Sequence, residues 1–170
     1  MLDLLKELLS RQYEAAFRTL SLCIDRCPES AWAAPVANLA FCQVAFHTLF
    51  FADFYLGEDE EAFRQQPFHS DQRDFFRDYE ELQPRKQELH YERSAINIYL
   101  AHCRRKASEV IAEATAKSLH AHASFSGLEF SRAELHIYNI RHIQHHSAQL
   151  SLRLRLDGEQ EVPWVKSGWM

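Results

Sequence analysis

Glycine and proline are scarce in this sequence of 170 residues, with Gly 4 and Pro 5. Folds that are built on tight turns need more of both residues, so the scarcity favours long helices. The chain also lacks any window near the roughly 18 uninterrupted apolar residues of a membrane span, and its N-terminus lacks the apolar stretch of a signal peptide. We therefore expect one all-α domain over residues 1–170, located in the cytoplasm and without a membrane partner.

A surplus of positive charge is missing as well, because the formal net charge is -5 at pH 7. Such a chain has no broad positive field for a phosphate backbone, so we expect no nucleic-acid partner. The cysteines form no Cys-x-x-Cys pair and fall within apolar helical patterns, which indicates small buried residues in a reducing compartment. They are Cys23, Cys27, Cys42 and Cys103. Cys103 is the one best placed to approach a metal, but burial as a small hydrophobic residue explains it better.

Apolar residues recur at helical spacing in two long segments of the first third of the chain. The first stripe runs from Leu2 to the break at Pro28, and the second segment, residues 36–56, is apolar over much of its circumference and ends at Gly57. A helix that is apolar on most sides is typical of one buried between neighbours. After it, residues 57–93 are aperiodic, and we interpret them as a long crossover with one short helix near residues 70–82.

Two further long helices are predicted in the second half. One runs over residues 94–114 with Ser94 as a candidate N-cap, and the other runs over residues 132–156 behind a Ser-x-x-Glu capping box. The tail from Glu159 to Met170, which contains Trp164 and Trp169, is expected to pack back along the helices. Two helices, a crossover and two helices predict a four-helix bundle with one long crossover connection between helices two and three.

Four of the ten histidines lie in residues 136–146, on the fourth predicted helix. At about 100° per residue, His146 lies about 40° from His142 on the helix surface, in the same sector as Leu135, whereas His136 points to one side. Side chains four residues apart are about 5 to 6 Å apart at Cβ, so two imidazoles can reach one ion at about 2.0 to 2.1 Å. The spacing alone is common by chance in a histidine-rich helix.

His47 is the polar exception on an otherwise apolar sector of the second helix. A buried neutral imidazole without a partner would cost on the order of 1 to 3 kcal/mol, so His47 needs a hydrogen bond or a metal. Taken alone, a satisfied core histidine explains it. Together with His142 and His146 it completes three nitrogen ligands with an open position, the ligand set of catalytic zinc, which nickel would also accept. We therefore expect one divalent metal ion, zinc or nickel.

Other metal and nucleotide motifs are absent from the sequence. No histidine has a glutamate three residues before it, as a ferritin-like di-iron site requires. The chain also has no His-Glu-x-x-His, Gly-x-Ser-x-Gly, Walker or Gly-x-Gly-x-x-Gly motif. A haem held by two histidines would need a wide apolar slot, and that alternative stays open.

The histidine pattern resembles that of the DinB-like or YfiT-like helical bundles, which carry a histidine in helix two and a His-x-x-His-His-x-Gly-Gln-like signature in helix four. Here the signature reads His142-Ile143-Gln144-His145-His146-Ser147-Ala148-Gln149. The resemblance covers essentially the whole chain and implies that His47, His142 and His146 are the metal ligands. Ala148 stands where the family usually has glycine, which marks a divergent member.

Several neighbours of these histidines are candidates for the pocket. His145, about 60° from the His142 direction, is expected behind the ligands or at the surface. Gln149 lies on the ligand face and could orient a metal-bound water, or it could be an ordinary polar group between helices. Whether Tyr138 or Arg153 reaches the site is open.

The resemblance implies a function as well as a fold. Relatives include transferases that use low-molecular-weight thiols and a thiol-dependent isomerase, so we expect a metal-dependent transferase that joins such a thiol to an electrophilic small molecule. A thiol-dependent isomerase and a metal-dependent hydrolase are alternatives. A further alternative, from another class, is a non-catalytic bundle that associates with another protein and binds adventitious metal or none. The expected partners are a small-molecule substrate and a second copy of the chain in a homodimer.

Overall fold

A computed structural model describes residues 1–158 and 161–167, and most of this part of the chain is helical. The elements, in chain order, are α1 (Leu2–Arg26), α2 (Glu29–Trp32), β1 (Pro35–Val36), β2 (Leu39–Ala40), α3 (Phe41–Leu56), α4 (Glu60–Gln65), α5 (Pro67–Asp71), α6 (Arg73–Phe76), a 3₁₀ turn (Glu80–Leu82), α7 (Arg93–Glu113), α8 (Ala116–His120) and α9 (Arg132–Gly158). The expectation of an all-α chain is confirmed at this level.

The four long helices pack against one another in pairs. Helices α3 and α1 each contact both α7 and α9, and the side chains between them form one buried apolar cluster. Helix α3 is buried on most sides, as its apolar circumference predicts. Among the described residues, none of the helices combines the length and the apolar character that a membrane crossing requires.

Helix α3 starts five residues later than predicted. Residues 36–40 form a small antiparallel hairpin with Pro35 instead, in which Pro35 pairs with Ala40, and Ala37 adopts a left-handed backbone conformation with φ 56°. The helix then begins behind Ala40, whose N–H donates to Gln43 Oε1 at 2.8 Å. The expected start at residue 36 is therefore wrong, because the turn and this side-chain cap interrupt the apolar pattern.

The predicted N-cap residue is wrong for α7 and correct for α9. Helix α7 begins at Arg93 behind Glu92, so the predicted N-cap role of Ser94 is wrong, and no side chain caps this helix. At α9 the Glu134 N–H donates to Ser131 Oγ at 3.2 Å, which confirms the serine cap of the predicted capping box.

The crossover contains three short helices, α4 to α6, and the 3₁₀ turn, in place of one helix near residues 70–82. Pro67 occupies the first turn of α5 and Tyr79 has a left-handed backbone, with φ 60°, so each divides the segment. Aromatic side chains fix the crossover to the core: Phe76 is buried, and the Phe75 ring lies 5.1 Å from that of Phe46 on α3.

The C-terminal tail packs against the core through a residue that the sequence did not indicate. Val162 is buried in the apolar cluster, whereas Trp164 is 83% exposed. The expectation that the tail packs back along the helices therefore holds at Val162, whereas the Trp164 side chain lies mostly in solvent. Trp169 lies outside the described residues.

Candidate metal centre

Three imidazoles from two helices meet on one side of the core. His47 lies in the middle of α3, and His142 and His146 lie one turn apart on α9, which packs directly against α3. One ring nitrogen from each lies within 4.8 Å of the other two. The centroid of the His47 ring is 4.7 Å from that of His146 and 5.5 Å from that of His142. The structure thus brings together the three histidines that the sequence singled out.

In two of these imidazole rings, a hydrogen bond to one nitrogen determines which nitrogen is left to face the other histidines. His47 Nδ1 lies 2.7 Å from Glu81 Oε2, and because a carboxylate only accepts, this nitrogen carries the proton. His146 Nδ1 lies 3.0 Å from Gln149 Oε1, so it too acts as a donor. In a neutral imidazole the second nitrogen then holds a lone pair. Both residues therefore present Nε2 as a possible ligand atom, the arrangement that a partner on the other nitrogen gives to metal-binding histidines.

The third imidazole carries an unsatisfied nitrogen. His142 Nδ1 is buried and has no hydrogen-bond partner among the described residues. Burial, with His146 and His47 beside it, lowers the pKa of His142 to about 3. Burial and the neighbouring His47 lower the pKa of His146 to about 4. His142 and His146 are therefore neutral rings that can offer lone pairs, and one nitrogen of His142 has no partner. Such a pair of rings fits a divalent cation and would not fit an anion.

Aromatic side chains enclose the histidines on the α3 side. The Phe51 ring lies 4.9 Å from that of His47 and 5.8 Å from that of His142, and the Tyr55 ring lies 6.3 Å from that of His142. A surface groove of about 440 Å³ runs beside His142. Its lining residues are Tyr138, Arg141, His142, Gln144 and His145. A small molecule could approach His142 along this groove.

The other candidate residues lie where the structure gives them different tasks. Tyr138 lines the groove and packs against Tyr55, with ring centroids 5.3 Å apart. His145 is exposed and its Nε2 contacts Gln149 Nε2 at 3.1 Å, so Gln149 links it to His146. Gln149 Oε1 thus accepts a hydrogen bond from His146, while a role toward a metal-bound water stays a prediction. Arg153 pairs with Asp157 on its own helix.

The cysteines are buried free thiols. Cys103 contacts the backbone oxygen of Leu49 and lies outside the histidine cluster, so the interpretation as a small buried residue holds for it. Burial raises the pKa of the Cys103 thiol well above its ordinary value, which makes it a poor metal ligand and a poor nucleophile.

Sequence reasoning missed Glu81, the acidic partner of His47. Its side chain is 2% exposed and belongs to the 3₁₀ turn of the crossover. The crossover has no periodicity, so nothing in its sequence indicates that one of its many acidic residues is buried. The one available signal was that a buried His47 needs a partner.

Comparison with known proteins gives no relative: no family model matches the chain, and neither a curated protein nor a solved structure matches it.

Proposed function

We propose that the chain is a DinB-like four-helix bundle that acts as a metal-dependent transferase, joining a low-molecular-weight thiol to an electrophilic small molecule. His47, His142 and His146 are the ligands of one zinc or nickel ion. The observation that carries the proposal is the approach of three imidazole nitrogens to within 4.8 Å of one another on a core face. The pairwise packing of α1, α3, α7 and α9 supports the bundle.

The chemistry requires little from the protein beyond these ligands. His47, His142 and His146 would hold a divalent ion through three nitrogens, and such an ion would keep a bound thiol in its nucleophilic thiolate form. The sulfur would form a bond to the electrophilic carbon, the leaving group would depart with its electron pair, and the thiol proton would go to solvent. Phe51 and Tyr55 exclude water from the α3 side, and the groove beside His142 admits the electrophile.

The test begins with protein purified without a histidine tag and loaded with zinc or nickel. We expect one ion per chain by elemental analysis, and consumption of a thiol such as glutathione, mycothiol or bacillithiol in the presence of a chloronitroaromatic electrophile. His142→Ala should lose the ion and at least about tenfold in rate, since a three-ligand site does not survive as two ligands.

His120→Ala is the matched control, because His120 is an exposed histidine of α8 that neither belongs to the cluster nor lines the groove beside His142. It should keep both the ion and the activity. Activity that is indifferent to His142→Ala would overturn the proposal. A folded, metal-free protein that consumes no thiol would favour the binding-protein alternative. A cytoplasmic location, a small-molecule substrate and a homodimer stay predictions.

A further inference from the structure

Glu81 is the one buried carboxylate that touches the histidine cluster in the described part of the chain. Its Oε2 lies 2.7 Å from His47 Nδ1, and its side chain is 2% exposed against 24% for His47. Its other oxygen, Oε1, is buried and has no hydrogen-bond partner among the described residues. A carboxylate that is buried with half of its acceptors unused costs free energy, so stability alone does not explain its position.

The backbone before Glu81 is strained. Tyr79, two residues earlier, has φ 60° and ψ 54°, a left-handed conformation that is unfavourable for a residue with a side chain. The Tyr79 hydroxyl lies 3.0 Å from His69 Nδ1, and His69 Nε2 lies 2.9 Å from Asp53 Oδ2 on α3. These contacts secure the start of the turn against the same helix that carries His47.

A second anchor secures the far side of the turn. Gln43, one helical turn before His47, donates to the backbone oxygens of Gln87 at 3.2 Å and Leu89 at 3.0 Å. The crossover is therefore attached to α3 on both sides of the residue that reaches His47. Two attachments and a strained backbone place Glu81 against one imidazole nitrogen.

We propose that Glu81 is a positioning residue of the metal centre, an inference that rests on the proposed function. By accepting a hydrogen bond from Nδ1, Glu81 keeps the proton of His47 on that nitrogen and turns Nε2 toward the other two imidazoles. The same hydrogen bond makes Nε2 a stronger electron-pair donor to a metal ion. Glu81 is not a fourth ligand, since the group that meets within 4.8 Å comprises the three histidines without it.

The test measures zinc affinity by competition with a chelator for the full-length protein and its variants. Glu81→Ala should weaken zinc binding about 10- to 100-fold, and Glu81→Gln, which keeps an acceptor but no charge, by a smaller factor. Glu80→Gln is the matched control, because Glu80 is also buried in the same turn but accepts from the Glu88 N–H at 3.0 Å and touches no histidine. It should bind zinc like the wild type.

A second measurement does not need the metal. Nitrogen-15 NMR of the metal-free protein should find the His47 proton on Nδ1 in the wild type and in Glu80→Gln, and should find that preference lost in Glu81→Ala. Equal zinc affinities of Glu81→Ala and Glu80→Gln, or an unchanged His47 tautomer, would overturn the role of Glu81 while the metal centre stands. A wild-type protein that binds no zinc overturns the proposed function instead, and the tautomer then decides on Glu81 alone.

Discussion

At the scale of single residues, several polar groups are buried on core faces, and their hydrogen bonds separate different roles. His136 lies on the same helix as the cluster, but its Nδ1 is 3.1 Å from the Tyr13 hydroxyl, so it is a satisfied core histidine. His142 has a buried nitrogen without such a partner in the described part of the chain. The contrast between these two histidines of one helix, more than the number of histidines, distinguishes a candidate metal ligand from a structural residue.

His136 gives a pH-dependent stability whose sign follows from its pKa. Burial, with Arg132 nearby, lowers the pKa of His136 from 6.5 to about 4, so the folded protein keeps it neutral. As pH falls below 6.5, His136 binds a proton in the unfolded chain before it does so in the folded protein. The contribution of neutral His136 to the free energy of unfolding is therefore complete above pH 6.5 and is lost between pH 6.5 and about pH 4. Between pH 7 and pH 5 the loss should be roughly 1 to 2 kcal/mol.

The check is the free energy of unfolding of the metal-free protein, from urea titrations at both pH values. His136→Asn, which keeps a hydrogen-bond partner for Tyr13, should depend less on pH by that amount. His120→Asn, at an exposed position, should follow the wild type. An equal pH dependence of wild type and His136→Asn would contradict the prediction. The cluster histidines titrate alike in all three proteins and cancel in the comparison.

Ser147 carries a buried hydroxyl group whose presence the structure does not explain. It is 0% exposed, and its Oγ has no hydrogen-bond partner among the described residues. Removing an unsatisfied buried polar atom relieves its desolvation cost. Ser147→Ala should therefore leave the free energy of unfolding unchanged or raise it by up to about 1 kcal/mol in chemical denaturation. A loss of more than that would reveal a hydrogen bond that the structure does not contain.

At the scale of elements, the long helices were predictable and the crossover was not. The stripe of α1 and the apolar circumference of α3 each reflect packing within a single helix, so local sequence suffices to indicate them. Helix α9 places His142 and His146 together through its own periodicity. The crossover is determined instead by contacts with distant residues, such as His69 with Asp53, and no local pattern encodes those contacts.

The same limit explains how much of the site the sequence contains. Two histidines on one helix have a fixed spacing, and His47 was visible as a polar group on an apolar face. Glu81 was not visible, because its position depends on the left-handed backbone at Tyr79 and on attachments to α3. The three histidines were therefore predictable as a set, whereas the carboxylate that contacts one of them required the tertiary structure.

Asp53 holds the crossover to the long helices, and its charge is buried with several partners. It is 0% exposed; its Oδ1 lies 2.5 Å from Lys106 Nζ, and its Oδ2 lies 3.0 Å from the Tyr99 hydroxyl. Burial alone would raise the pKa of Asp53, but contacts with His102, His69 and Lys106 hold it well below its usual range. The carboxylate is thus ionised in the folded protein.

Asp53→Asn should lower the free energy of unfolding by about 3 to 5 kcal/mol, because it leaves the Lys106 ammonium without its counter-charge. Asp78→Asn is the control: Asp78 pairs with Arg85 at 2.6 Å, but its side chain is 62% exposed, so its loss should cost less than about 1 kcal/mol. Adding Lys106→Met to Asp53→Asn should recover part of the loss. Equal effects of the two aspartate substitutions in urea denaturation would contradict the role of Asp53.

At the scale of the whole molecule, the apolar core and the histidine cluster contribute separately to stability. The buried cluster extends along the four long helices, and 170 residues bury enough apolar surface to fold without a metal. The histidines join only α3 and α9, on one side of that core. A metal ion should therefore stabilise a protein that is already folded.

Zinc at about 100 times its dissociation constant should stabilise the folded state by about 2.7 kcal/mol. For a chain of this size that raises Tm by roughly 5 to 10 °C. Calorimetry should find this shift for the wild type and for His120→Ala, and no shift for His142→Ala, whose metal-free Tm serves as its own reference. Chelation should return the wild type to its lower Tm with its helical circular dichroism intact. If chelation unfolded the protein, the metal site would be structural. The description as a catalytic site with an open coordination position would then be wrong.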